Sequence, residues 1–129
     1  ERPDLVILIN GGIENLDQAA AHLEYVDGVM LGRAAYQNPA LLAGVDARFF
    51  GAAPGDLDAA VDAYREHVAY SLAQGARLHP LIKPMLGLFN GRPGARLFRR
   101  HLSEHSVRDG AAIAVLDQAL DFVRLRRAA

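Results

Sequence analysis

The sequence predicts two fold classes in series, α/β and then all-α. Three observations carry this. A continuous apolar run, Leu5-Val6-Ile7-Leu8-Ile9, ends at Asn10-Gly11-Gly12. A second run, Gly28-Val29-Met30-Leu31, ends at Gly32-Arg33, and one helical stretch lies between them. From Asp56 onward, apolar residues recur at spacings of three and four, the period of a helix face.

Residues 5–9 read as a parallel strand buried on both faces, because the run is continuous rather than alternating. Asn15 is an N-cap, with Gln18 in the capping-box position three residues later. Leu16, Ala19, Ala20 and Leu23 then mark one helix face to about Tyr25. Residues 28–31 form the second strand, parallel to the first through a right-handed crossover. Pro39 opens a short helix, and residues 44–56 read as loop, with Arg48-Phe49-Phe50 packing it down. The expected domain boundary divides 1–50 from 51–129.

In the second part Asp56 caps a helix whose face is Leu57, Val61, Tyr64, Val68 and Leu72, stopped at Gly75. Pro80 starts the next, with Leu81, Ile82, Met85, Leu86 and Phe89 apolar and Gly91 at its end. A third helix covers roughly 94–102. The last follows Asp109-Gly110, with Ile113, Leu116, Leu120 and Val123 inward. Its tail carries Arg124, Arg126 and Arg127 against the helix dipole. Four amphipathic helices with short turns predict a four-helix bundle.

The 129 residues include no cysteine, which excludes disulfides and thiolate chemistry within them. This fits a cytoplasmic protein. No apolar run is long enough to span a bilayer. The net charge of −1 conceals an asymmetry. Residues 1–64 hold three Arg against ten carboxylates, net −7; residues 65–129 hold eleven Lys and Arg against five carboxylates, net +6. Either the basic part faces an anionic partner or the two halves attract each other.

Turns at the carboxyl ends of consecutive parallel strands expose backbone N–H groups at the next helix start, where a phosphate is held. Arg33 adds a fixed charge and a fork of donors. Loops after the last two strands of an eight-stranded (β/α)8 TIM barrel share one phosphate in this way, so Asn10, Gly11, Gly12, Gly32 and Arg33 are the candidate phosphate ligands. A dinucleotide fold is disfavoured, because the G-x-G-x-x-G fingerprint is missing. In the second part Arg96, Arg99 and Arg100 fall at i, i+3 and i+4, on one helix face, with no carboxylate between residues 92 and 100. A polyanion would turn their mutual repulsion into attraction. Of the five histidines, His22, His67, His79, His101 and His105, only the last two have a metal-compatible spacing, and no third ligand accompanies them. Asp58 and Asp62 read as solvated carboxylates. No catalytic set stands out, and no metal is expected.

The motifs Asn10-Gly11-Gly12-Ile13 and Val26-Asp27-Gly28-Val29-Met30-Leu31-Gly32-Arg33-Ala34-Ala35-Tyr36-Gln37-Asn38-Pro39 resemble the end of the flavin barrel in tRNA-dihydrouridine synthases. Met85-Leu86-Gly87-Leu88-Phe89, Gly91, Pro93-Gly94-Ala95-Arg96, Arg99-Arg100 and Leu102-Ser103-Glu104 resemble the helical C-terminal domain of the same family, in its A-type branch. The resemblance implies reduction of a D-loop uridine of tRNA at positions 20 and 20a, with FMN as hydride donor and NADPH as reductant. It implies that Asn10, Gly11, Gly12, Gly32 and Arg33 hold the FMN phosphate. It places Arg96, Arg99, Arg100 and Lys83 on tRNA, Arg96 and Arg99 matching the pattern best. Pro84 stands where the family usually has a histidine. The family's proton-donating cysteine and its flavin-ring lysine and histidine belong to upstream barrel loops, so no catalytic residue is expected in this chain.

Two strands cannot close a barrel. Residues 1–50 are therefore expected to be ordered only beside further strands or against the helical part, and the chain alone, taken as a monomer, is expected to be inactive. Two other readings stay open: a non-catalytic RNA-binding helical module with a vestigial barrel tail, and the barrel end of a sugar-phosphate lyase or isomerase.

Overall fold

Parallel pairing organises the start of the chain. β1 (Leu8–Asn10) lies beside β2 (Gly28–Met30), with Leu8 opposite Gly28, Ile9 opposite Val29 and Asn10 opposite Met30. The structure is a computed structural model; it describes residues 2–128, with side chains up to residue 124. It divides into two compact units, Glu1–Gly55 and Asp56–Ala129.

In the first unit, α1 (Leu16–Leu23) connects the strands. The Asn15 carboxamide accepts from Gln18 N at 2.8 Å. The Gln18 carbonyl accepts from Glu14 N at 2.9 Å, one residue before the amide that a capping box uses. Asp27 lengthens the ladder beyond β1: its carboxylate accepts from Ile7 N at 2.8 Å, and its own N–H donates to Ile7 O at 2.9 Å.

Three features of this unit correct the sequence-based expectations. The run from Leu5 is not buried on both faces: Leu5, Val6, Ile7 and Leu8 are 50%, 78%, 50% and 69% exposed. The described sheet has two strands, so no further described strand pairs with it. The segment expected to be loop contains α3 (Val45–Phe49), preceded by α2 (Arg33–Gln37) and a 3-10 turn at Pro39–Gly44. Phe50 does not pack the loop down, being 75% exposed, although Phe49 is half-buried. Residues 51–55 are stitched back by Ala52 N to Asp46 O (3.2 Å) and Gly55 N to Ala43 O (2.8 Å).

The second unit has one core. Asp56 caps α4 (Leu57–Ala73), accepting from Ala59 N at 3.0 Å. Val61 and Val68 of α4 meet Leu78 and Ile82 of α5 (Leu78–Ile82), Phe98 and Leu102 of α6 (Ala95–His105), and Leu116 and Leu120 of α7 (Ile113–Ala128). The helix expected over 80–91 is not continuous. It shrinks to α5 and a 3-10 turn at Lys83–Met85, because Pro84 has no N–H to carry the helical ladder onward. Its apolar positions still serve the core: Ile82, Met85 and Phe89 are buried. Arg65 grips Asp117 through two bonds of 2.9 and 2.8 Å, and Arg124 donates to Asp62 at 2.6 Å, so two ion pairs join α4 to α7. The side chains of Arg126 and Arg127 lie outside the described residues.

Candidate functional site

The register of the two strands builds a cleft. Asn10 lies level with Met30, so the turns that follow both strands leave the sheet at the same end, the carboxyl end of the parallel pair. Gly11 (φ 111°) and Gly12 (φ 70°) take backbone conformations that side chains disfavour. A Cβ at either would meet nothing within 4 Å, so a ligand can approach the backbone closely there. Gly32 precedes α2, whose first residue is Arg33. Asn10, Gly11, Gly12, Gly32 and Arg33 all line one cleft of about 810 Å³.

Contrary to expectation, the first turn does not sit on a helix start. α1 begins only at Leu16, and Asn15 already serves one of its free N–H groups. α2 has five residues, so its dipole is small. The anion-binding capacity of the cleft therefore rests on loop N–H groups, the Asn10 amide and the Arg33 guanidinium. Sequence reasoning missed Glu14, Gln37 and Asn38, which also line the cleft. Gln37 follows Arg33 by four residues, one helical turn, and that spacing is the signal that could have found it. Among the described residues Glu14 is the one carboxylate lining the cleft, and it opposes an anion there.

The second unit presents the basic residues. Two consecutive turns lead into α6. Arg92 N donates to Phe89 O (2.9 Å) across a turn with Gly91 at φ 84°, and Ala95 N donates to Arg92 O (3.1 Å) across Pro93 and Gly94 at φ 89°. Glycine third, after proline in the latter, is the type II pattern. Gly94 also lies against α7: a Cβ there would collide with Phe122 O. From this start Arg96 and Arg100 are exposed and Arg99 half-exposed.

The three arginines are not equivalent. Arg100 donates to Glu104 at 2.9 Å, one helical turn on, which corrects the expectation of three unneutralised charges. This pairing raises the Arg100 pKa and lowers that of Glu104. Arg99 donates to the Asn90 carbonyl at 2.6 Å. Arg96 has no side-chain partner among the described residues, and Lys83 is exposed on its 3-10 turn. Arg92 lies over the Phe89 ring, 5.8 Å from its centroid.

The histidines take separate places. His101 and His105 approach with ring centroids 4.5 Å apart, and no group of three or more metal-competent side chains forms among the described residues. His79 shares a 2.8 Å hydrogen bond with the buried Ser106 hydroxyl, an interior contact between α5 and the end of α6. No described helix is long and apolar enough to cross a membrane.

The family model for dihydrouridine synthase (Dus) matches residues 1–124. The chain belongs to the dihydrouridine synthase family. It is 50% identical to the tRNA-dihydrouridine(20/20a) synthase of Shigella flexneri over 127 residues, 97% of this chain and 38% of that protein. The protein of the same name from Escherichia coli (strain K12) is 49% identical over 127 residues, covering 97% and 37% respectively. That of Vibrio cholerae is 43% identical over 120 residues, covering 92% and 37%. The chain thus spans 37–38% of the length of these curated relatives. The family fold is a TIM barrel, and the β1–α1–β2 unit is consistent with part of one.

Proposed function

We propose that this chain supplies the phosphate-holding end of a flavin barrel, residues 1–50, and a tRNA-binding helical domain, residues 51–129. The parent activity is NADPH-dependent reduction of uridine to dihydrouridine at positions 20 and 20a of the tRNA D-loop. The observation that carries this reading is the strand register that opens both glycine turns into one cleft. The relatives' shared name supports the substrate.

The donors fit the phosphate of FMN. Arg33 offers a charged fork, Asn10 an amide, and the glycine turns N–H groups without side chains in the way. FMN, when bound, supplies the hydride. The residues of this chain bind and orient. Asn10, Gly11, Gly12, Gly32 and Arg33 hold the phosphate end; Arg96, Arg99 and Lys83 draw in the tRNA backbone, with Arg100 in a lesser role because Glu104 already partners it. The 129 residues include no cysteine, so proton delivery to the uracil ring is not assigned to them.

Two measurements test the reading. In a protein whose barrel is complete, Arg33→Ala weakens FMN by about 10- to 100-fold, the worth of charge-assisted hydrogen bonds. Riboflavin, which lacks the phosphate, binds unchanged. Equal losses for both remove Arg33 from the phosphate. Charge reversal at Arg96 and Arg99 weakens tRNA binding and lowers its salt slope by about 0.7–0.9 for each phosphate no longer neutralised. Unchanged binding removes the helix from the tRNA face.

A further inference from the structure

We infer that Asn90 is a positioning residue, holding the Arg99 guanidinium in place for a tRNA phosphate without spending its charge. The inference rests on the tRNA reading of α6 and adds to it a residue outside that helix.

The geometry is a pair of adjacent contacts between one turn and one helix. Phe89 is buried and meets the ring of Phe98 edge-on, with centroids 4.9 Å apart at 87°. The next residue of the turn, Asn90, accepts from the next residue of the helix, Arg99, at 2.6 Å. The aromatic pair anchors the turn to the core. Gly91 then closes it, with Arg92 N bonded to Phe89 O. Asn90 is thus presented from a backbone fixed on both sides, and Arg99 reaches a partner that is already in place.

The chemistry of that partner matters. A carboxylate fixes a guanidinium more strongly than an amide does but cancels its charge, as Glu104 does for Arg100. An amide carbonyl takes one of the five N–H donors and leaves the positive charge and the other donors for an incoming phosphate. It also removes part of the rotamer entropy that Arg99 would otherwise lose on binding. Arg99 is therefore an ordered cation, Arg100 a neutralised one, and Arg96 a cation without a side-chain partner among the described residues.

The test is tRNA binding to the full chain over a range of KCl concentrations, using an unmodified tRNA transcript. Asn90→Ala frees Arg99 but keeps its charge: affinity falls about 2- to 10-fold, from the ordering cost of one long side chain, and the salt slope is unchanged. Asn90→Asp keeps the shape and adds a charge that pairs with Arg99. Affinity then falls further, and the slope drops by about 0.7–0.9, the signature of one phosphate left without its cation. If Asn90 only built the turn, the order would reverse, because aspartate serves turns as well as asparagine. Wild-type affinity and slope in Asn90→Asp overturn the inference. If Arg96→Glu and Arg99→Glu also bind as the wild type does, the tRNA reading itself is what fails.

Discussion

The two units treat apolar sequence in opposite ways. In the second, apolar residues from α4, α5, α6 and α7 converge on one core, with Val68, Ile82, Phe98, Leu102 and Leu116 fully buried. In the first, the most apolar stretch of the chain, Leu5 to Leu8, stands half or more exposed, and the buried apolar residues are Ile13 and Ala19. Both stretches obey the same hydrophobic rule. The difference is whether the elements that should cover them belong to the unit. Amphipathic helices with short turns can bury their own faces, whereas a barrel strand needs neighbours on both edges and a layer on each side.

Amide hydrogen exchange reads that contrast directly and should show the largest effect. The amides of α6 exchange only through opening of the whole second unit, whereas those of residues 6–9 exchange through local opening of a two-stranded pair. Their protection should differ by several orders of magnitude. Comparable protection at residues 6–9 would break the comparison and show that the strand is stabilised within this chain.

Side-chain deletion comes next. Phe98→Ala removes a fully buried ring that packs on Phe89, and should cost about 3–5 kcal/mol in urea unfolding of the second unit. Val6→Ala deletes a side chain that is 78% exposed and should stay within about 0.5 kcal/mol. Gly94→Ala sharpens the point from the backbone side. It combines a φ of 89° with a Cβ that collides with Phe122 O, so α6 and α7 must separate locally. A loss of about 2–4 kcal/mol is expected from strain and overpacking together, read by the same unfolding experiment. Wild-type stability would mean that the α6 start moves freely away from α7.

The same contrast explains what was legible in the sequence. Local signals survived: Asn15 and Asp56 cap the helices they precede, and the faces of α4 and α7 lie inward, because each depends on residues close in the chain. The apolar run from Leu5 overstates the first strand, which spans only Leu8–Asn10, since such a run reports what a segment can bury, not whether a cover is present. The sequence of α3 resembles loop because Gly44 and Gly51 flank only a five-residue helix. Pro84 ended the expected 80–91 helix after its first turn, while the apolar spacing continued into a turn that still buries Met85 and Phe89. At the candidate sites, the five cleft residues could be grouped in advance because strand ends are local features that parallel pairing brings level. Gln37 was within reach through its i, i+4 spacing from Arg33; Glu14 and Asn38 were not, since their place depends on how the chain turns beyond each strand. The Arg100–Glu104 pair was available from its i, i+4 spacing but lies across the end of the arginine run. The Asn90–Arg99 contact has no such spacing, because it joins a turn to a helix nine residues away.

The smallest expected effect concerns how the second unit ties its charges together. Asp117 is held below its ordinary value of 3.8, chiefly by hydrogen bonds from Arg65, against a smaller opposing effect of partial burial. A depressed carboxyl binds its proton less readily folded than unfolded. Its stabilisation is therefore complete above the unfolded value near 3.8 and is lost as pH falls through the lower folded value. Arg65 keeps its charge throughout, its own pKa being raised further by Asp117 and Glu66. Urea midpoints at pH 5 and pH 3 should show the wild type losing more stability on acidification than Asp117→Asn, with the gap confined to the acid side. Parallel acid curves would mean that the α4–α7 ion pair is formed without stabilising the fold, leaving the apolar core to hold the second unit by itself.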